Sequence, residues 1–290
     1  MAKFGAAGND ELFYAQGFKS TTQAPKGVSE MGLTAFEVCF GRGTRMSEET
    51  AKKIGEEAQA WGVAISAHAP YFINMANPES IDNNYRFVSS AVRLVNAMGG
   101  TRVVVHVGSQ GDLDRSVALK NTRESLTEVV RRLDAEGLSN FLLCIETMGK
   151  YKQIGNYREV CELCSVDERV IPTLDFGHIN CLEQGELQRR PQRIREILDE
   201  VGGMIGFEKL RKIHVHWSAI VFGDAGEKKH TTLDDADWAF SFEPLARYIK
   251  EHNLDEVVII CESKNIMAQD AVRLKNKYIS FDVADNKLLK

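Results

Sequence analysis

Eight short apolar, β-branched runs recur along the chain, each followed by a longer stretch, and few folds accommodate that rhythm. The runs read as strands at Lys3–Ala7, Ala35–Phe40, Val63–His68, Arg102–Val107, Phe141–Thr147, Val170–Asp175, Lys212–Trp217 and Glu256–Glu262. Helical patterns lie between or after them at Ser47–Trp61, Pro78–Met98, Leu113–Glu136, Asn156–Cys164, Pro191–Val201, Phe242–His252 and Met267–Tyr278. Ser47 is placed to cap the first of these, and Gly99-Gly100 to stop the second. Strand–helix alternation is the pattern of βα units on a parallel sheet. Eight evenly spaced strands predict an α/β fold that closes as a (β/α)8 TIM barrel, and 290 residues is an ordinary length for one. No Pro/Gly/Ser-rich linker divides the chain, so residues 1–290 are expected to form a single domain. The longest irregular piece is expected from Ala219 to Phe240, and the tail from Ser280 to Lys290 as a peripheral strand or frayed end.

Several function classes are disfavoured by composition. No GxGxxG or Walker A sequence follows a strand, which weakens a nucleotide-binding reading. No apolar run reaches the 18 or so residues that span a membrane, and Met1–Asn9 lacks the layout of a secretory signal. A cytoplasmic monomer without membrane contact is the expectation. The six cysteines are scattered, and the single CxxC, Cys161–Cys164, falls in an amphipathic helical pattern with no second pair to complete a zinc site. Net charge is −5, so a polyanionic partner would need a local basic patch.

Chemistry gathers at the strand ends. His68, His106, His178, His214, His216 and His230 lie at or just beyond predicted strand ends, and only His252 sits in a helix tail. Glu146, Asp175 and Glu262 close the apolar runs Leu142-Leu-Cys-Ile-Glu146, Pro172-Thr-Leu-Asp175 and Val258-Ile-Ile-Cys-Glu262. In Val103-Val-Val-His106, the period of two puts Val104 and His106 on one face and Val103 and Val105 on the other. Barrel strands are buried on both faces, so charged side chains there must reach the mouth or be heavily desolvated. Clustered carboxylates also raise one another's pKa. Divalent cations held by imidazoles and carboxylates resolve both problems. With no cysteine in the set, the donors are nitrogen and oxygen; zinc suits them, with manganese and iron as alternatives. Their number exceeds the four of a single zinc, so at least two ions are expected, an arrangement suited to phosphodiester hydrolysis.

These segments resemble the endonuclease IV family of apurinic/apyrimidinic endonucleases, within the xylose-isomerase-like barrel superfamily. The matching pieces are Ser66-Ala-His68-Ala-Pro-Tyr71-Phe-Ile-Asn74, Val105-His106-Val-Gly-Ser109, Ile145-Glu146-Thr147, Leu174-Asp175-Phe-Gly-His178, Ile213-His214-Val, Lys229-His230 and Cys261-Glu262-Ser. They run in the family's order from about residue 35 to 265. The resemblance implies two or three zinc ions and cleavage of duplex DNA on the 5′ side of abasic sites, in base excision repair. His68 and His106 would hold the first ion and Glu146 would bridge it to the second. Asp175, His214 and Glu262 would complete the second, and His178 and His230 would hold the third. Glu146 and Glu262 are the candidate catalytic carboxylates, and Tyr71 would lie against the opened DNA.

Two departures stand out. Where the family carries an aspartate two residues before its last histidine, this chain has Lys228, and Glu227 is the nearest substitute if the segment from Phe222 to His230 is one residue longer. After His230 the chain reads Thr231-Thr-Leu-Asp234-Asp235-Ala-Asp237-Trp238, an acidic stretch that would repel a phosphodiester and favour a small neutral substrate. Candidates for phosphate contact are Arg42, Arg45, Lys150, Lys152, Lys228, Lys229 and Lys264. His216 shares the inward face with His214 and is expected to support a ligand rather than be one. The rival reading is a sugar isomerase or epimerase of the same superfamily, with Glu146 and Glu262 moving a proton around one metal. A third is a barrel that binds metal or ligand without turnover.

Overall fold

A computed structural model describes residues 1–281. Eight parallel strands close into a barrel: β1 (Lys3–Ala7), β2 (Ala35–Cys39), β3 (Ala64–His68), β4 (Arg102–Val105), β5 (Leu142–Glu146), β6 (Val170–Asp175), β7 (His214–Trp217) and, after the antiparallel pair β8 (Ala219–Gly223) and β9 (Gly226–Thr231), β10 (Val258–Cys261). Pairing of β1 with both β2 and β10 completes the ring. Each predicted strand is present within two residues of its expected ends.

The period of two sorts the core into two zones. Outward-facing Val103, Val105, Leu143, Ile145, Val215 and Ile259 join the large core between barrel and helices. Inward-facing Val104, Cys144 and Ile171 form a small apolar cluster inside the barrel, beside another of Ala35, Val258 and Ile260. Burial of a side chain of this size contributes about 1.5–3 kcal/mol. Around the ring run helices including Glu48–Trp61, Ile81–Ala97, Arg115–Ala135, Arg193–Ile205, Glu243–Glu251 and Met267–Ser280. Ser47 caps the first of these by accepting from Thr50 N. At the amino-terminal end of the barrel Arg102 donates to the carbonyls of Lys212 (2.6 Å) and Glu256 (2.8 Å), tying three strand starts together.

The expectation of an irregular Ala219–Phe240 is corrected, because β8 and β9 form a hairpin there. Gly223 and Gly226 flank its tip, and β9 is charged on both faces, so no apolar alternation advertised it. Short helices at Glu11–Ala15, Ala24–Glu30, Phe176–Leu182, Glu186–Arg189 and Phe207–Leu210 were also unforeseen. Ser280 ends the last helix, and the expected tail beyond Phe281 lies outside the described residues. Among the described residues no helix is long and apolar enough to cross a membrane.

Candidate metal centre at the barrel mouth

Strand ends deliver nearly every donor. His68 ends β3, His106 follows β4, Glu146 ends β5, Asp175 ends β6, His216 lies in β7 and Glu262 follows β10. Asp175 also caps the helix Phe176–Leu182: its Oδ1 accepts from His178 N at 2.7 Å, which brings His178 to the mouth. A cavity of ≈ 740 Å³ opens there, lined by His68, His106, Glu146, His178, His230 and Glu262 among others.

Three groups of donor atoms converge at the mouth, and a fourth, Glu37, His214 and His216, lies beneath them. In the first, Glu146 Oε2 lies 2.9 Å from His106 Nε2 and 3.1 Å from His68 Nε2. His68 Nδ1 is 2.8 Å from the carbonyl of Ala69, which only accepts, so Nδ1 carries the hydrogen. A neutral His68 would therefore turn an Nε2 lone pair onto a carboxylate oxygen, so a proton or a cation has to stand between them. The second group is Glu146, Asp175, His216 and Glu262. Here His216 Nδ1 lies 3.2 Å from Glu146 Oε1 and 3.5 Å from Glu262 Oε2, while buried Asp175 Oδ2 has no hydrogen-bond partner. The third is His178, Glu227 and His230. His178 Nδ1 donates to the Thr147 carbonyl at 2.9 Å, leaving Nε2 toward Glu227 Oε2 at 3.5 Å; His230 Nε2 is 3.9 Å from Glu227 Oε1. Acceptors facing acceptors and an orphaned carboxylate oxygen, all of nitrogen and oxygen chemistry, fit divalent cations.

The electrostatics agree. Burial raises the Glu146 pKa, yet His106 and His216 outweigh it and hold the carboxyl well below its usual range. Burial alone would lower His178 and His216, but Asp175 beside the former, and Glu262 and Glu146 beside the latter, push both well above the ordinary histidine value. Burial raises Asp175. Hydrogen bonding from His178 holds Glu227 at about 2. Excess negative charge thus draws protons onto His178 and His216, places a metal would take, while burial lowers His106.

Two ligand expectations change. His214 does not join Asp175 and Glu262: it lies one layer deeper, with Nε2 3.0 Å from Glu37 Oε2, and His216 stands in the place expected for it. Residues i and i+2 of a strand share a face, so the sequence alone could not say which reaches the mouth. Glu37, fully buried in β2, went unnoticed, although a lone carboxylate in Ala35-Phe-Glu37-Val-Cys39 is the same kind of signal that flagged Glu146.

At the third group Glu227 takes the acidic place and Lys228 does not. In the hairpin Val221 pairs with Lys229 but Phe222 pairs with Glu227, so Lys228 is an extra, bulged residue. The bulge reverses the alternation, so Glu227 shares a side with His230 while Lys228 and Lys229 are exposed. The hairpin docks on the loop after β5, with Glu227 N donating to the Gly149 carbonyl at 2.8 Å. Any Cβ on Gly149 would approach His178 Cδ2 to 2.7 Å, so a glycine is needed where the two meet.

Around the rim, Tyr71, Lys150 and Lys264 line the cavity, and exposed Phe72 joins Tyr71. Arg42 is exposed in the turn whose Gly41 carbonyl accepts from Tyr71 N. Arg45, Lys152, Lys228 and Lys229 are not part of the cavity lining. Nor is the acidic stretch: Asp234 pairs with Arg273 at 2.9 Å and Asp235 accepts from Thr231 at 2.8 Å. None of Asp234, Asp235 and Asp237 lines the cavity, which removes the expected repulsion from its walls.

Residues 26–277 match a family model described as "Xylose isomerase-like TIM barrel". An uncharacterized protein of Methanocaldococcus jannaschii is 30% identical over 253 residues, 87% of this chain and 89% of that one. A probable endonuclease 4 of Mycoplasma pneumoniae is 25% identical over 226 residues, 76% and 74% of the two chains. Among solved structures, a D-tagatose 3-epimerase-like protein superposes with a TM-score of 0.73 at 20% identity, covering 99% of each chain.

Proposed function

The chain belongs to the xylose isomerase-like TIM barrel family, and from that premise we propose that it is a metal-dependent phosphodiester hydrolase cleaving duplex DNA 5′ to abasic sites. The observation that carries this reading is the set of three donor groups side by side at the mouth, two of them sharing Glu146. His68 and His106 would hold one zinc, Asp175, His216 and Glu262 a second with Glu146 as bridge, and His178, Glu227 and His230 a third. Bound there, such ions act as Lewis acids and make a water nucleophilic at neutral pH. Glu146 presents Oε2 to the first group and Oε1 to the second, fixing their spacing. His68 and His178 keep their Nε2 lone pairs inward by donating Nδ1–H to backbone carbonyls.

Substrate contacts follow from the rim. Lys150, Lys264 and Arg42 would meet phosphates, and Tyr71 would offer an exposed ring to an unstacked nucleotide. Sequence likeness to a probable endonuclease 4 supports DNA as the substrate. The chain would act as a cytoplasmic monomer in base excision repair.

A second reading is favoured by one observation: Glu146, Asp175, His216 and Glu262 make a complete four-donor site by themselves. One metal there, flanked by two glutamates, suits a sugar isomerase or epimerase. The deciding experiment is incision of a duplex oligonucleotide with one abasic analogue, in zinc and then manganese, alongside metal counting. Cleavage on the 5′ side with two or three ions, abolished in Glu146→Gln, is the expected result. One ion, no incision and turnover of a free ketose would establish the isomerase instead.

A further inference from the structure

Beneath the mouth, the barrel interior encloses a charge that the donor groups leave unused. Glu37 is completely buried in β2, and three polar groups close around its carboxylate. Ser66 Oγ donates to Oε2 at 2.7 Å, His214 Nε2 lies 3.0 Å from the same oxygen, and His216 Nε2 lies 3.0 Å from Oε1. Neither imidazole contact is aligned as a straight hydrogen bond, so both are chiefly electrostatic. Burial works to raise Glu37, but His216 and His214 hold it well below the usual carboxylate range. An ionised carboxylate only accepts, so a ring nitrogen 3.0 Å from it carries its hydrogen rather than a lone pair.

For His216 this has a consequence at the other edge of the ring. Its Nε2 faces down to Glu37 while Nδ1 faces up to Glu146 Oε1 and Glu262 Oε2. Keeping the hydrogen on Nε2 leaves Nδ1 as the donor atom of the second group. His214, fully buried and pushed down to about 4 by that burial, is neutral and packs against Glu37 without adding charge. Carboxylates behind a ligating histidine fix its tautomer and ring orientation and raise its basicity.

We propose that Glu37 is a positioning residue that locks His216 with Nε2–H turned down and the Nδ1 lone pair turned to the mouth. This rests on the metal reading of that mouth. Glu37→Gln places an amide N–H among three converging donors, which forces a ring flip or a change of tautomer. Titrating the full chain with Co²⁺ alone, Glu37→Gln should weaken one equivalent about 10- to 100-fold and shift its visible absorption. Glu37→Asp, which keeps the charge, should recover part of the loss. In ¹⁵N-histidine spectra of the metal-free and zinc-loaded chain, an Nε2–H of His216, identified by its loss in His216→Gln, should be present in both and displaced in Glu37→Gln.

Folded Glu37→Gln that binds every equivalent within twofold of the native chain, with that resonance unmoved, overturns the proposal. So does an additional tight ion lost only in His214→Phe, since Glu37, His214 and His216 would then be ligands of their own site. If neither Glu37 variant folds, the native spectrum decides: Nδ1–H without Nε2–H on His216 refutes it. A native chain that binds no Co²⁺ refutes the metal reading separately, while the Nε2–H resonance still tests Glu37.

Discussion

Gly226→Ala isolates the docking of the hairpin from the barrel beneath it. Gly226 has φ +96°, and a Cβ there would come within 2.2 Å of the Gly149 carbonyl oxygen and 3.0 Å of Lys150 Cα. Neither neighbour is the flexible end of a side chain, so the hairpin itself must move. Left-handed backbone costs a non-glycine residue about 1–2 kcal/mol. Moving the hairpin also breaks the Glu227 N to Gly149 O bond, a net loss of about 0.5–1.5 kcal/mol. Together these give about 1.5–3.5 kcal/mol, which, falling on the placement of Glu227, weakens the third ion about 10- to 300-fold at 1.4 kcal/mol per decade. Competitive chelation with zinc measures it, and hydrogen exchange at the Glu227 amide reports the undocking without any metal. Gly203→Ala, with nothing within 4 Å of the new Cβ, is the control and should change neither. Should Gly226→Ala keep three ions within threefold of native affinity and the Glu227 amide protected, the hairpin contact does not set the third group.

Further outcomes are expected on the rim and in the loop behind it. Lys150→Ala with Lys264→Ala should weaken binding to abasic duplex DNA and lower the slope of log K against log salt by roughly 0.9 per lost phosphate contact, with metal content unchanged; an unaltered slope would remove both lysines from the DNA track. Glu159 accepts from Arg115, Gly155 N and Asn156 N, and these, Arg115 foremost, outweigh burial and depress its pKa below 4.5. Its stabilisation is therefore complete above the unfolded value and lost as pH falls through the lower folded one. Below about pH 4.5 the melting temperature of the chelator-treated chain should fall less steeply in Glu159→Gln than in the native chain, and parallel curves would contradict that.

Sequence and structure agree most closely where burial leaves little choice. A barrel strand packed on both faces must be apolar throughout, so runs such as Val103-Val-Val and Val258-Ile-Ile stand out from any helix. A polar residue ending such a run is equally visible, as at His68, His106, Glu146, Asp175 and Glu262. Depth within the barrel was not visible. It depends on the stagger of neighbouring strands, and the pairing of Asp175 with His216 and of Thr173 with His214 decides which histidine reaches the mouth. Glu37 escaped because it sits in mid-strand, where attention to strand ends does not look. Glu227 could be offered in place of Lys228 only on condition of an extra residue, because a single bulged residue reverses which side chains face inward and Glu227 and Lys229 carry no apolar pattern that would betray it.

Distribution of the donors around the ring bears on how the protein matures. The second group takes Glu146 from β5, Asp175 from β6, His216 from β7 and Glu262 from the end of β10. β10 in turn pairs with β1, the other side of the seam where the ring closes. β10 also pairs with β7, so the four donors stand on the neighbouring strands β5, β6, β7 and β10, and β1 gives none. An ion that binds only when these four strands are assembled would favour that arrangement by mass action. Such an ion would act as a clasp on the second half of the barrel, joining Glu146 and Glu262 across four strands, and its departure would be felt first among β5, β6, β7 and β10.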